Sequence, residues 1–299
     1  LYYKTFEGVL AMAVLGWGLW RTFLRHKPLT RTFWRAFAIS LCLLGIAIGV
    51  NVPGQKSPAG MVNLDVVFVV DRTASISAED YNGTSERLEG AKHDISELIT
   101  AFTGARMALI TFDSSARVVV PLTDDASALS VATETLQQER TTQSHGSKID
   151  EPIAVTKKLL EQSKQGNPEK GRLVFYFGDG EQTADTEPTS FASLKSLIDG
   201  GGVLGYGTST GGKMKYHSGY EQVYSDNSDS SGDTYIIDYT QRDANNNNPE
   251  AVSKIDEGNL QTIATDLGVP YEHRTSPTQS LSAIIKKSNA TTVSDAHRQ

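Results

Sequence analysis

Apolar residues fall into two patterns along this chain, and the patterns occupy different regions. Near the N-terminus they form two long runs, Glu7–Leu24 (EGVLAMAVLGWGLWRTFL) and Phe33–Val52 (FWRAFAISLCLLGIAIGVNV). As a helix, a run of about 20 residues reaches roughly 30 Å, the depth of a bilayer core. From Leu64 onward the runs shorten and alternate with segments of helical spacing. LDVVFVV (Leu64–Val70) is an unbroken β-branched run, which predicts a parallel strand buried on both faces. Leu88, Ala91, Ile95, Leu98, Ile99 and Phe102 then recur at helical intervals. RMALITFDSSARVVVPL predicts two strands joined at Asp113–Ser115. DASALSVATETLQ predicts a helix capped by Asp125, and SKIDEPIAVTKKLLEQ another with Pro152 in its first turn. RLVFYFGDG, SFASLKSLI, GVLGYG, NLQTIATDLG and VPYEHR continue as strand, helix, strand, helix and strand.

This alternation predicts an α/β fold, a doubly wound and mostly parallel Rossmann-like sheet with one antiparallel strand. Residues 1–52 are read as a two-helix transmembrane hairpin, 53–61 as a Pro/Gly linker and 62–275 as the folded domain. An insertion at 213–250, with β-rich ends, an acidic Ser/Asp tip and an Asn run, interrupts the rhythm. Residues 276–299 are expected to be a flexible tail holding one short amphipathic piece, LSAIIKK.

Charge sets the orientation of the hairpin. Arg21, Arg25, Lys27, Arg31 and Arg35 crowd the connection between the apolar runs, and so basic a short loop stays in the cytoplasm. Trp17, Trp20 and Trp34 near that loop, with Tyr2 and Tyr3 at the far end, fit interfacial belts. The expectation is a multi-pass protein of the cytoplasmic membrane, in contact with lipid through the hairpin, with its folded domain extracytoplasmic. Residues 1–60 hold seven Lys/Arg and one acid, which leaves 21 basic and 34 acidic residues beyond them, a net of −13. So acidic a domain excludes nucleic acid as a partner and suits a divalent cation. The single cysteine, Cys42, provides neither a disulfide nor a Cys-based zinc site.

In open α/β sheets, ligands bind beyond the carboxyl ends of the strands. The first strand delivers Asp71, Thr73 and Ser75 there, and the strand Leu173–Phe177 delivers Asp179. The loop TTQSHGSKIDE delivers Ser147, with Thr142 the alternative. Two carboxylates and three hydroxyls are hard oxygen donors suited to Mg²⁺, with Mn²⁺ or Ca²⁺ as alternatives. Neutral hydroxyls hold a cation without cancelling its charge, so it can still take a carboxylate from another molecule. A D-x-[ST]-x-S string alone is common by chance; its position after a buried strand, with Asp179 after another, gives it weight.

D-R-T-A-S after a hydrophobic strand resembles the D-x-S-x-S motif of von Willebrand factor A domains, their metal-ion-dependent adhesion site. The resemblance spans roughly 62–275 and includes SERLEGAKHDISELI, ALITFDSSARVVVPLTDD and DEGNLQTIATDLGVPYEHR. By that similarity Asp71, Thr73 and Ser75 match the first metal loop, Ser147 the usual Thr of the second, and Asp179 the Asp of the third. Thr73 and Ser147 depart from the pattern but keep a hydroxyl, and Gly178 stands where Thr often precedes the Asp. The hairpin plus this domain resembles bacterial proteins of the aerotolerance (Bat) type. That resemblance implies a non-enzymatic module that docks an Asp or Glu of a partner protein on Mg²⁺. It also implies a link to MoxR-type AAA+ ATPases and to the assembly or maturation of envelope complexes. Alternatives are a structural subunit of a membrane complex with a vestigial metal site, or a Mg²⁺-dependent hydrolase.

Other signals carry less. GTSTG (Gly207–Gly211) matches a nucleophile elbow but lacks the helix that must follow, and His217 and His273 have no evident acid partner. DNSDSSGD (Asp226–Asp233) lacks the bidentate Glu of a calcium loop.

Overall fold

Successive side chains of a strand point to opposite faces, so an unbroken apolar run needs cover on both. The computed structural model describes residues 63–144, 146–219, 235–242 and 246–288. Within them β1 (Leu64–Asp71) is buried at every position. Leu64, Val66, Phe68 and Val70 join one apolar cluster, while Val67 and Val69 join the other. β1 pairs in parallel with β2 (Arg106–Phe112) on one side and with β4 (Gly171–Gly178) on the other. β3 (Ala116–Thr123) adds antiparallel to β2, and β5 (Gly200–Tyr206) and β8 (Tyr271–Arg274) extend the far side in parallel. The order β3-β2-β1-β4-β5-β8 is the doubly wound sheet with one antiparallel strand that the alternation predicts.

Helices cover both faces. α1 (Arg87–Ala101) buries Leu88, Ala91, Ile95, Leu98 and Ile99 against the cluster that holds Phe68 and Phe175. α2 (Ala126–Glu134) starts where Asp125 accepts hydrogen bonds from the Ser127 and Ala128 amides, as its sequence predicts. α3 (Ile153–Gly166) and α5 (Glu257–Leu267) cover the other face with Leu159, Leu160, Leu260 and Ile263. Gly268, in the left-handed conformation at φ 73°, ends α5.

Two details differ from expectation. SFASLKSLI yields only α4 (Ala192–Lys195), one short turn. Asp266 fixes its start by accepting from the Ser190 hydroxyl and the Phe191 amide. Asp199 then fixes its end by accepting from the Arg172 amide while donating its own to the Arg172 carbonyl. The insertion is anchored by a two-stranded antiparallel ladder of β6 (Gly212–Lys213) and β7 (Val252–Ser253). Bridges Lys215–Tyr235 and Ile237–Glu250 continue it.

The other is a correction. Residues 276–288 are not a free tail, because α6 (Ser282–Lys287) packs on the sheet with Leu281 and Ile284 98–99% buried; residues 289–299 lie outside the described residues. They enter the cluster of Phe175 and Leu204, and the Ser288 carbonyl accepts from the Gly201 amide.

The two apolar N-terminal runs (about 7–24 and 33–52), the linker 53–61 and the tip Asp226–Asp233 lie outside the described residues. Among the described residues, no helix is long and apolar enough to cross a membrane.

The burial of α6 sets a first test. Ile284→Ala should lower the unfolding free energy by about 2–5 kcal/mol, the usual cost of emptying a buried Ile site. Urea denaturation reads it, and a loss below about 0.5 kcal/mol, the surface value, would return this segment to the status of a tail.

Candidate functional site

β1 and β4 are neighbours whose next strands in sequence lie on opposite sides, so the sheet has its switch point between them. Their carboxyl ends deliver Asp71 and Asp179, both fully buried. After Asp71 the backbone coils into a 3₁₀ turn at Ala74–Ser77. The turn has a side-chain cause. Asp71 Oδ1 accepts from the Thr73 amide at 2.8 Å and from its hydroxyl at 2.7 Å. The Thr73 and Ser75 hydroxyls are 3.0 Å apart, and the Ser147 hydroxyl lies 3.5 Å from that of Ser75. Asp71, Thr73, Ser75 and Ser147 thus form one chain of oxygen contacts. Thr142 faces solvent instead, in the turn at Thr141–Gln143. The second and third loops are joined as well, since Thr183 Oγ1 accepts from the Ser147 amide at 2.7 Å and the Ser147 carbonyl accepts from the Thr183 amide.

Asp179 is held differently. Its Oδ1 accepts from the Glu181 amide at 3.0 Å, and its Oδ2 accepts from Arg87 Nη1 at 2.8 Å. Arg87 is fully buried at the start of α1 and spends its N–H groups on several partners. Nε and Nη2 grip both oxygens of Asp80 at 2.7 and 2.9 Å. Nη1 and Nη2 also donate to the hydroxyl and carbonyl of Ser253 on β7. Gly207, at φ 113°, lets the backbone pass beside this guanidinium; a Cβ there would lie 2.5 Å from Nε.

The electrostatics follow from this packing. Burial first, and then the negative charge of Asp179, push the Asp71 carboxyl well above the usual carboxylate range against the two Thr73 hydrogen bonds. Glu181, beside Asp179 and bonded to Ser253, is pushed up by the same two causes. Burial opposes the charge of Arg87, but Asp80 and Asp179 more than offset it and raise its pKa.

One atom stands out. Asp71 Oδ2 is buried and has no hydrogen-bond partner. A buried carboxylate oxygen left so is costly unless something else fills the vacancy in its coordination. Gly178 packs against it: a Cβ there would lie 3.2 Å from Asp71 Oδ2 and 3.1 Å from Asp71 Cβ. The departure noted at Gly178 therefore avoids a close contact with the carboxylate. Among the described residues, no group of three or more His, Cys, Asp or Glu forms a metal cluster. The donors assembled here are two carboxylates and three hydroxyls, a set that fits a hard divalent cation.

Four participants were missed by sequence reasoning: Arg87, Asp80, Ser253 and Glu139. Glu139 is buried, accepts from the Ala74 amide at 3.1 Å and donates its own amide to the Arg72 carbonyl. Helical periodicity marks Arg87 only as a first-turn residue, and nothing local distinguishes the others. His273 also needs correcting, because its Nδ1 lies 3.5 Å from Glu257. Its Nε2 is 2.7 Å from the Gly207 carbonyl, and β6 rather than a helix follows Gly207–Gly211, so no nucleophile elbow forms.

The model of the von Willebrand factor type A domain family matches residues 66–182, from β1 through both loops to just beyond Asp179. Over that segment the chain is similar to von Willebrand factor A domains. The sheet continues past it through β5 and β8. The crystal structure of the conserved hypothetical protein BatB from Bacteroides thetaiotaomicron is similar at 23% identity and a TM-score of 0.55, covering 78% of this chain and 98% of that one. An aerotolerance-related membrane protein from Bacteroides fragilis is similar at the same identity and TM-score, covering 76% of this chain and 98% of that one. These likenesses show a shared fold. No curated protein matches the sequence.

The tie through Arg87 sets a second test. Arg87→Met should destabilise the domain by about 3–5 kcal/mol, the cost of leaving buried carboxylates without their cation. Adding Asp80→Asn should recover part of that loss in denaturant titrations. Wild-type stability in the single variant would mean that the pair does not hold these loops together.

Proposed function

We propose that this chain is a binding module that docks a partner protein through a divalent cation held by Asp71, Thr73, Ser75, Ser147 and Asp179. The observation that carries this reading is Asp71 Oδ2, buried, without a partner and beside a hydroxyl ladder. A bound Mg²⁺ would supply an electrophilic point for a carboxylate from outside the chain. The residues do the rest. Thr73 fixes the Asp71 carboxylate through Oδ1 and leaves Oδ2 for the ion. Ser75 and Ser147 bring neutral oxygens from two loops. Arg87 neutralises Asp179, so the five donors carry less net negative charge than two carboxylates would alone. A cation held this way keeps positive charge to offer, and an Asp or Glu of a partner is the hard oxygen anion that suits it.

We further propose that residues 7–24 and 33–52 anchor the module in the cytoplasmic membrane with the domain extracytoplasmic. The basic connection between the two runs supports that orientation. The resemblance of the hairpin-plus-domain arrangement to aerotolerance-type proteins leads us to propose a role in assembling or maturing an envelope complex, with a MoxR-type AAA+ ATPase as a candidate associate. Catalysis is not part of the proposal. The patterned serine, Ser209, is exposed in a loop followed by β6 instead of a helix.

Isothermal titration of the full chain with Mg²⁺ tests the reading. Saturable binding should appear in the wild type and disappear in Asp71→Ala and Asp179→Ala. A wild type that takes up no heat would leave the domain as a structural subunit. A separate measurement follows from the buried charge. Asp71→Asn keeps an oxygen for Thr73 but removes the unpaired charge, so without metal it should melt higher than wild type. A gain of 1 kcal/mol corresponds to about 2–4 °C in a domain of this size. Added Mg²⁺ should raise the wild-type midpoint and leave that of Asp71→Asn unmoved.

A further inference from the structure

The acidic balance of the domain makes any concentration of arginine conspicuous. One occurs beside the first metal loop. A cleft of about 350 Å³ opens between β3, the segment following α2 and the base of the insertion. Arg72, Arg117 and Arg140 line it together with His217, and among the described residues no carboxylate does. Residues so far apart in sequence meet because β1 ends and β3 begins at the same edge of the sheet, beside the second loop.

The cleft adjoins the first loop of the proposed metal site. Arg72 is the residue between Asp71 and Thr73, and its carbonyl accepts from the Glu139 amide at 2.7 Å. Glu139 in turn accepts from the Ala74 amide, inside the metal loop. The arginines are oriented from behind. Arg72 Nε lies 3.1 Å from Asp113 Oδ2, buried but without an aligned hydrogen bond, and its Nη2 donates to the Gln138 carbonyl at 3.3 Å. Arg117 reaches Asp113 only at 3.7 Å, and its side chain is 51% exposed. Asp113 and Glu139 line a neighbouring recess that shares the same three arginines, so the acids stand on one side and the open cleft on the other. Val119, Ala132 and Leu136 give the cleft apolar wall, suited to the methylenes of a Glu side chain.

We infer that this cleft is a second recognition site, for an acidic stretch of the partner's chain that flanks the carboxylate taken up by the metal. The inference rests on the proposed metal reading for its geometry, but the arginines can be tested independently. A partner that carries only one carboxylate would satisfy the cation; two or more neighbouring acids would satisfy the cation and the cleft together. Arginine forks bind carboxylates bidentately, so the cleft would select acidic clusters over isolated Asp or Glu.

The test uses the full chain in neutral detergent and a fluorescein-labelled hexaglutamate peptide, read by anisotropy with Mg²⁺ or with chelator. Arg117→Gln and Arg140→Gln are made singly and together; neither residue belongs to the metal site. The double variant should bind the peptide about tenfold more weakly or worse, the loss expected from removing charge-assisted hydrogen bonds. Its Mg²⁺ titration should match wild type, which also shows that the fold survives. If the double variant fails to fold, the single ones carry the comparison. Equal peptide affinity in wild type and variants would overturn the inference. So would stronger displacement of the peptide by glycerol phosphate than by unlabelled hexaglutamate, since that marks a lipid-headgroup site. Arginine-dependent peptide binding in a wild type that takes up no Mg²⁺ would uphold the cleft while removing the metal reading.

Discussion

The guanidinium of Arg87 is the contact on which the rest of this edge of the sheet depends. It reaches the loop after β1 through Asp80, the loop after β4 through Asp179, and the base of the insertion through Ser253. These three segments are far apart in sequence, and each would otherwise bring polar groups into a dry interior. A buried cation with well-formed bonds to two carboxylates offsets part of its desolvation cost through them. The yield in stability is small, but the yield in geometry is large, because a planar fork accepts its partners in few arrangements. Asp80 extends the same logic by accepting from the Thr208 amide and hydroxyl beyond β5. A second buried fork, Arg274 on Asp94 with the Tyr206 hydroxyl on the same carboxylate, ties α1 to β8 and β5. The helix is thus registered on the sheet at two points by charge, with apolar packing between them.

Asp71 has no such cation. Its two hydrogen bonds from Thr73 serve one oxygen, and the other faces Gly178 without a donor. The two aspartates contrast: Asp179 is compensated within the fold and Asp71 is not. A protein selected only for stability would pair this oxygen or replace Asp71. Local cost of this kind is expected where a site must stay open for a ligand.

Much of the fold was readable because its causes are local. The run Leu64–Val70 had to lie between two layers, and Asp71 had to be the first residue past the apolar interior. Asp125 and Gly268 announced a helix start and a helix end through capping chemistry. The same locality made Asp179 visible at the end of β4. What escaped was nonlocal. Arg87 looks like any charged residue in a first helical turn until Asp80, Asp179 and Ser253 are folded around it. Glu139 sits in a stretch without periodicity, and only the fold brings it to the Ala74 amide. LSAIIKK is an amphipathic piece too short to mark a core contact by itself, and Leu281 and Ile284 made one because β5 offers a glycine-rich surface. The short α4 was misjudged for a similar reason, since Asp266 and Asp199 fix its ends from elsewhere in the chain.

The insertion, read from sequence as an interruption, is bonded to both loops that build the site. Its Lys213 and Lys215 carbonyls accept from the Glu79 amide and the Ser77 hydroxyl, on the segment that follows the metal loop. Gln138 donates its side-chain amide to the same Lys215 carbonyl, and Thr141 exchanges two hydrogen bonds with His217. Lys215 also reaches Glu79 and Glu86, the residue immediately before Arg87. A segment bonded to the first loop, the second loop and the start of α1 cannot move without disturbing the donors of the proposed cation site. Anything that docks on the base of the insertion therefore acts on those donors directly, through hydrogen bonds already in place. That connection couples the described base of the insertion to both loops of the proposed site and gives it a physical reason to interrupt the alternation of strands and helices at this point.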